Sequence, residues 1–189
     1  MKYTIYIDTH FTNLVFGLFK DEKLIDEKKI ESAEHSKNMI PAFQELLKEN
    51  HITVDDIESI IVINGPGSFT GVRIGVVLAK ILAFTKNIPV KALTYLEAMD
   101  LSYDKDVILG IKDRNGAFIG EFLKNHKLKK EYYYLTKEEL ANIDFAINYD
   151  DNIDLELVYQ YMKNNNTVNP HLLKPIYVKK IDVGGHKNA

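Results

Sequence analysis

Cysteine is absent from this chain of 189 residues. Disulfide bonds, thiolate nucleophiles and cysteine-based zinc sites are therefore excluded together, and the composition fits a reducing compartment. No stretch reaches the roughly 18 to 20 consecutive apolar residues that a membrane-spanning helix requires. The N-terminal segment also lacks the basic region, uninterrupted apolar core and small-residue cleavage site of a signal peptide. We therefore expect a soluble, cytoplasmic protein.

Arginine is scarce, because Arg73 and Arg114 are the only two among the 24 residues counted as Lys or Arg. The net charge of -3 argues against a broad basic face that binds nucleic acid directly. In a lysine-rich chain, an arginine marks either a place that needs a planar guanidinium group or a chance occurrence. The sequence leaves both interpretations open.

Hydrophobic residues make up 46% of the chain, which is enough to form a buried core. Alternating and β-branched residues predict an antiparallel meander of three strands over residues 3–7, 13–19 and 24–30. Apolar residues at helical spacing then predict an amphipathic helix over 36–50. A continuous apolar run predicts a buried strand over 59–63.

A second helix is predicted over residues 72–85, and it is apolar nearly all the way round. Arg73 and Lys80 are its main charged exceptions. A helix of this kind is expected to be buried on every side. In so small a chain, that requires either a central position or a partner chain.

Shorter elements are predicted in the second half: a strand over 90–93, a helix over 95–101 capped by Thr94, a hairpin over 107–123 with its turn at 113–116, a strand over 127–135, helices over 137–142 and 155–163, and a strand over 145–147. Helical periodicity gives way to hairpins near residue 101. We therefore predict an N-terminal lobe of residues 1–101 and a smaller C-terminal lobe of residues 102–189.

The segment INGPGSFTGVRIG, residues 63–75, lies between the buried strand and the apolar helix. We call its central residues the glycine loop: Gly65, Gly67, Ser68, Thr70 and Gly71. The loop lacks the lysine of a Walker A motif, has threonine at the third glycine of a dinucleotide fingerprint, and lacks the flanking glycines of a nucleophile elbow. Two interpretations remain. Its N–H groups attract an anion at the helix N-terminus, or it is a tight turn whose Ser or Thr caps the helix.

Other candidates for chemistry are few. The six histidines form no i, i+4 pair and no HExxH motif, which argues against a zinc site built on one helix. Asp8 ends the first strand, where it either holds Mg²⁺ through water or is a turn residue. The lysine cluster over residues 124–130 either contacts a phosphate backbone or is a solvated hairpin end, and the second interpretation is favoured.

The run INGPGSFTGVRIGVVLAK resembles the signature of the TsaB family, a small subunit of the bacterial machinery that makes threonylcarbamoyladenosine beside the tRNA anticodon. Other segments resemble this family in the same order: IDTHFTNLVFGLF its opening strand pair, HSKNMIPAFQELLKE its first helix, ALTYLEAM its third, KDRNGAF its hairpin turn and KPIYVKK its C-terminal strand. The resemblance covers residues 1–120 and the last stretch. Residues 125–168 are short and divergent for the family.

The resemblance implies the α/β fold of actin-like ATPases and sugar kinases (the ASKHA fold), with two lobes of mixed sheet and a reduced second lobe. It also implies a close paralogue, TsaD, which is catalytic and holds a metal through an HxxxH motif on its third helix. Tyr95 and Met99 stand at the places of those two histidines. The resemblance therefore implies a subunit with no catalytic residues and no metal site of its own.

The resemblance further implies that the first two helices dock onto the equivalent helices of TsaD as a four-helix bundle. The residues expected at this contact are Met39, Phe43, Leu47, Arg73, Val76, Val77 and Lys80. The family also recruits the ATPase TsaE, contacts tRNA only indirectly, and is expected to form a homodimer through the same patch when TsaD is missing. No cofactor of its own is expected, although ATP or ADP can lodge at the boundary between subunits.

Two alternatives remain. The first is an independent ATP-dependent enzyme of the sugar-kinase class, which would use Asp8, Thr9 and the glycine loop on phosphates. The second is a glycoprotease. That activity needs a metal pair, a cysteine or a serine elbow, and the sequence supplies none of them.

Overall fold

The computed structural model describes residues 2–31, 34–150 and 152–179. The chain begins with an antiparallel meander of β1 (Tyr3–Asp8), β2 (Asn13–Lys20) and β3 (Lys23–Glu31). The predicted positions of all three strands are confirmed. They could be predicted because alternating apolar residues and short polar turns are local features of the sequence.

Two parallel strands complete the first sheet. β4 (Ile57–Ile63) pairs with β1, and β5 (Val90–Leu93) pairs with β4, so the strand order is β3-β2-β1-β4-β5. The helix α1 (His35–Glu49) leads from β3 towards β4, and α2 (Phe69–Lys86) joins β4 to β5. This mixed sheet, led by its meander, confirms the predicted α/β fold.

Both helices pack on one face of the first sheet. Side chains alternate along β1, so that Ile5 and Ile7 belong to the core beneath the helices while Tyr6 belongs to the core on the other face. The helices contribute mainly apolar residues to the first core: Met39, Ala42, Phe43, Leu46, Leu47, Val72, Val76, Ala79, Leu82 and Ala83. Full burial of one large apolar side chain contributes about 1.5–3 kcal/mol, so this face of α1 stabilises the fold itself.

The second sheet is an antiparallel one of β6 (Val107–Asp113), β7 (Gly116–Phe122) and β8 (Tyr133–Thr136), in that order. The predicted hairpin is confirmed. The predicted strand over 127–135 is wrong in extent, because Leu123 N–H donates to the Lys127 carbonyl and closes a turn there. A single bridge joins Leu128 to Phe122 of β7, and the continuous strand pairing with β7 covers only residues 133–136.

Three short helices accompany this sheet: α3 (Tyr95–Asp100), α4 (Lys137–Leu140) and α5 (Leu155–Lys163). The predicted cap of α3 is confirmed, since Thr94 and Glu97 form a reciprocal capping box. The predicted strand over 145–147 is wrong. Only a single bridge joins Leu109 to Asn148, too little for a strand.

A second core lies between the two sheets. Tyr6, Phe19 and Ile63 of the first sheet pack in it with residues of β6, β7, α3 and α5. Helix α5 therefore belongs to the same core as the meander, and Tyr159 stacks on Phe19 with ring centroids 4.8 Å apart. The predicted boundary near residue 101 stays a prediction, although this core is shared across it.

Residues 168–179, here called the C-terminal strap, run along the edge of the first sheet. Val168 N–H donates to the Val90 carbonyl, and Ile176 N–H donates to the Asn64 carbonyl. Leu173 is buried in the first core. The C-terminal strand that the family resemblance implies is not formed over residues 174–179, which have no strand pairing. No helix within the described ranges is long and apolar enough to cross a membrane.

Candidate functional site

The glycine loop packs directly against the turn between β1 and β2. Ser68 N–H donates to the His10 carbonyl at 2.6 Å. The Thr9 hydroxyl donates to the Gly71 carbonyl at 2.7 Å and accepts from Gly75 N–H at 3.1 Å. The chain itself therefore occupies the Ser68 N–H group, a donor of the kind that a phosphate-binding loop leaves free for its ligand.

The glycines of the loop are required by this close approach. A Cβ on Gly71 would lie against the Thr9 carbonyl oxygen, and one on Gly67 would lie against that of His10, both nearer than real Cβ atoms come. Gly65 has φ +125°, which side-chain-bearing residues rarely adopt. Ser68 is the N-cap of α2 and accepts from Gly71 N–H at 3.3 Å. The geometry favours the tight turn over the phosphate cradle.

Asp8 is a buried turn residue. Its carboxylate accepts from His10 N–H at 2.9 Å and lies 2.7 Å from the His10 Nδ1 atom. The Tyr6 hydroxyl donates to the other carboxylate oxygen at 3.4 Å, and burial together with the Asp8 charge raises the pKa of that tyrosine well above its ordinary value. Within residues 2–31, 34–150 and 152–179, no group of three or more His, Cys, Asp or Glu side chains is placed to hold a metal ion.

Tyr95 and Met99 lie where the paralogue's histidines are expected, and both are buried in the second core. The His10 ring stacks on the Tyr95 ring with centroids 3.7 Å apart. This stack borders a cavity of about 390 Å³ between the β1–β2 turn and the second sheet. Neither side chain carries the imidazole that an HxxxH motif supplies, and the Met99 thioether is a soft ligand.

Four of the residues predicted to contact a partner are core residues. Met39, Phe43 and Leu47 of α1 and Val76 of α2 are each less than a tenth exposed and pack in the first core. Their placement on an exposed face is wrong, because the single apolar face of an amphipathic helix is needed by the sheet beneath it.

The outer face of α2, which we define as Val77, Ile81 and Phe84, is apolar and exposed. These side chains are 51%, 53% and 66% exposed and follow one another at i, i+4 and i+7 on the helix. Val77 was predicted at the contact, whereas Ile81 and Phe84 were not, and contact of this face with a partner stays a prediction. The prediction that α2 is buried on every side is wrong for the single chain.

A sequence signal for this orientation was available. Small residues recur at every fourth position of α2, and all four are buried: Gly71, Gly75, Ala79 and Ala83. Small residues allow a helix to approach a sheet closely, so this stripe faces inward. The larger side chains half a turn away must then point outward.

Arg73 and Lys80 are bound by the C-terminal strap. The Arg73 guanidinium lies 3.7 Å from the centre of the Phe69 ring, and its Nε donates to the Tyr177 hydroxyl at 2.5 Å. Lys80 Nζ donates to the carbonyls of His171 and Leu173. A planar group stacked on an aromatic ring is a role that lysine cannot take. Contact of either residue with a partner stays a prediction.

The lysine cluster over residues 124–130 is partly neutralised by the chain itself. Lys130 Nζ lies 2.7 Å from a Glu121 carboxylate oxygen, and Lys129 Nζ lies 3.8 Å from the other. The hydrogen bond from Lys130 is the main cause that lowers the pKa of Glu121. This geometry favours the solvated hairpin end.

Comparisons with known proteins place this chain beside two related groups. The family model described as TsaD, tRNA N6-adenosine threonylcarbamoyltransferase, matches residues 27–116. The tRNA threonylcarbamoyladenosine biosynthesis protein TsaB of Bacillus subtilis is 40% identical over 98 residues, which cover 49% of this chain and 41% of that protein. TsaB of Escherichia coli is 31% identical over 93 residues, covering 49% of this chain and 40% of that protein.

The matched segments are thus well short of the relatives' full length. They reach 61% of the TsaB protein of Buchnera aphidicola (Schizaphis graminum), at 25% identity over 65% of this chain. Among solved structures, one described as a protein with similarity to peptidase YEAZ from Pseudomonas aeruginosa has a TM-score of 0.74 at 19% identity, and covers 95% of this chain and 100% of its own. That likeness shows the fold.

Proposed function

We propose, from the premise that this chain belongs to the TsaB family, that it is a non-catalytic subunit in the biosynthesis of threonylcarbamoyladenosine in tRNA. The curated relatives carry the name of that pathway. The observation that carries the proposal is the exposed apolar outer face of α2, on a chain whose glycine loop is already filled by its own β1–β2 turn.

The proposed partner is a catalytic paralogue of the TsaD type. The TsaD family model matches residues 27–116, a segment that includes both α1 and α2. A paralogue with counterparts of these helices offers a similar apolar face, and like faces pair around an approximate two-fold axis. Covering the outer face of α2 would remove three large apolar side chains from water.

Arg73 and Lys80 fit the proposal as residues that position this face. Both bind the C-terminal strap, and the strap residues Pro170 and His171 border an apolar cavity of about 300 Å³ beside Ile81 and Phe84. The Phe84 and His171 rings lie 5.2 Å apart. We propose that the strap extends the docking surface formed by the outer face of α2.

The experiment is sedimentation of the purified chain with a TsaD protein, at micromolar concentration and with nucleotide present. We expect a heterodimer, and Ile81→Asp should weaken it about 30-fold or more, as loss of a central apolar contact does. Leu157→Asp is the matched control, since Leu157 is also exposed and apolar but lies on α5. Absence of association by the unmodified chain, or equal effects of the two variants, would contradict the proposal.

Further parts of the proposal follow from the family. Without a TsaD-type partner the same face is expected to form a homodimer, which Ile81→Asp should convert to a monomer in sedimentation. The chain holds no cofactor of its own in this proposal, ATP or ADP lodges at the subunit boundary, and TsaE joins the assembled pair. Contact with tRNA is through the partner, in the cytoplasm.

An independent sugar-kinase-like activity is the alternative. It requires Asp8, Thr9 and the glycine loop to meet phosphates, yet each already hydrogen-bonds within the chain. Tight binding of Mg-ATP by the isolated chain in calorimetry would favour this alternative over the subunit.

A further inference from the structure

A cavity of about 450 Å³ opens where three distant parts of the chain meet. The start of α2, the turn between β6 and β7, and the C-terminal strap all line it, together with Phe11. Its volume lies within the range of roughly 300–1,000 Å³ that is typical of small-molecule sites. It lies at the N-terminal end of α2, and none of its lining residues belongs to the outer face of α2.

Four aromatic rings from the described part of the chain line this cavity. Phe11 and Phe118 meet edge to face with ring centroids 6.3 Å apart, and Phe69 and Tyr177 pack at 5.1 Å. Rings of this kind bind a further ring through its faces and edges, and they exclude water from it. The walls therefore favour a planar aromatic group.

Asp113 is the one carboxylate among the described lining residues of the cavity, and it already accepts hydrogen bonds from the chain itself. Asp113 accepts from the Tyr134 hydroxyl at 2.5 Å, from Asn115 N–H at 2.7 Å and from Lys179 Nζ at 3.3 Å. Burial acts to raise the pKa of Asp113, but these three donors outweigh it and hold the pKa below its ordinary value. Asp113 is thus an ionised acceptor whose charge Lys179 balances.

Arg114 is left with its charge unbalanced. It is exposed in the β6–β7 turn, and no hydrogen bond or ion pair joins it to any residue in the described part of the chain. Its planar fork offers five N–H donors. Ser68, also at the mouth, accepts from Gly71 N–H, which leaves its own hydroxyl proton to donate. The mouth therefore has donors and positive charge in excess.

We propose that this cavity binds a small molecule in which a planar aromatic ring carries an anionic group. The ring lies among the aromatic walls, and the anion accepts from Arg114 and Ser68. This binding is independent of the subunit function proposed above, because a single chain contains every residue that it needs.

The test titrates three probes into the isolated full chain: phenyl phosphate, phenol and inorganic phosphate. Aromatic NMR signals of the chain report binding. For a ligand of about 11 non-hydrogen atoms, we expect phenyl phosphate to bind with a Kd on the order of 1 mM. Phenol and phosphate, which each supply one half of the ligand, should bind at least about tenfold more weakly because each loses one set of contacts.

Two variants locate the anion. Arg114→Gln should lower the affinity for phenyl phosphate about tenfold, because a charge-assisted hydrogen bond typically contributes about that much. Lys124→Gln removes the same charge from an exposed position that does not line the cavity, and should change nothing. Unchanged thermal unfolding of both variants confirms that the fold is intact.

Three results would overturn the proposal. The first is the absence of saturable binding of phenyl phosphate. The second is an equal affinity for phenyl phosphate and for phenol or phosphate alone, because the site would then not require the ring and the anion in one molecule. The third is an equal response to Arg114→Gln and Lys124→Gln.

Discussion

Helices α1 and α2 cover the same face of the first sheet, yet their outward sides differ. α1 presents mostly polar and charged residues to solvent, with Ile40 as its one large exposed apolar side chain. α2 presents Val77, Ile81 and Phe84. Both bury their inward residues in one core. The apolar residues of α1 are thus accounted for by folding, whereas those of α2 exceed what the fold uses.

The excess on α2 is the observation that supports the proposed partner. An amphipathic helix is what a two-layer domain requires, and α1 meets that requirement. Additional apolar residues on the outside do not stabilise the single chain, because they remain in contact with water. The comparison therefore separates residues that hold the fold together from residues available to another molecule, and substitutions can test that separation.

The largest effect is expected on the inner face of α1. Phe43→Ala should lower the free energy of unfolding by about 3–5 kcal/mol, because it leaves a cavity in the first core. Its neighbour Gln44 is exposed, and Gln44→Ala should stay within about 0.5 kcal/mol. Urea denaturation measures both. Similar losses in the two variants would mean that α1 does not lie on the sheet as described.

Two adjacent valines give a sharper test of α2. Val76 is 2% exposed and Val77 is 51% exposed. Val76→Ala should lower the free energy of unfolding by about 2 kcal/mol, because it removes two buried methyl groups and leaves a cavity. Val77→Ala should change the free energy of unfolding by less than about 0.5 kcal/mol. Thermal or urea unfolding of the pair measures the difference, and equal costs would contradict an exposed outer face.

The two arginines allow a test of the contact between α2 and the strap. Arg73→Lys keeps the charge but loses the stacking on Phe69 and the hydrogen bond to Tyr177. We therefore expect the free energy of unfolding to fall by about 1 kcal/mol. Arg114→Lys makes the same change at a residue without a described partner and should be neutral. Unfolding midpoints compare them. A neutral Arg73→Lys would show that the stack does not stabilise the fold.

The smallest effect concerns the polar edge of α1. Lys28 of β3 lies 2.9 Å from carboxylate oxygens of Glu45 and Glu49, and these hydrogen bonds raise its pKa. Lys28→Met should lower the free energy of unfolding by about 0.2–1 kcal/mol, and by less at high salt. Lys29→Met, on the same strand, should leave it unchanged.

The pH dependence of this ion pair has a definite sign. Because the folded pKa of Lys28 is raised, its contribution is fully present below the unfolded value of about 10.4 and is lost as pH rises through the folded value. Above neutral pH, the difference in free energy of unfolding between Lys28→Met and the unmodified chain should therefore shrink only at strongly alkaline pH. Shrinkage on acidification through neutral pH would contradict this assignment.

The fold was largely predictable because most of its elements have local signatures. The meander, the β6–β7 hairpin, the capping box of α3 and the helix over residues 155–163 were all expected where they occur. The strands over 127–135 and 145–147 were not predicted correctly. Short segments of this kind become strands only if a neighbouring strand pairs with them, and that neighbour is set by long-range packing.

The site was less predictable for a similar reason. The periodicity of α1 and α2 identified which residues share a face, but the predicted contact residues Met39, Phe43 and Leu47 lie inward. The stripe of small residues on α2 could have oriented that helix. Nothing comparable in the sequence indicates that the strap would bind Arg73 and Lys80, roughly a hundred positions away.

The sequence by itself determined most of the strands and helices, and it showed a resemblance to one family. It marked Arg73 as one of only two arginines, and left open whether that position needs a guanidinium group. The tertiary structure decided which side of α2 meets the sheet, and whether the glycine loop holds a ligand or the chain itself. The reason is distance along the chain: Thr9 fills the loop at Gly71 from 62 positions away, and such contacts form only when the whole fold brings the two segments together.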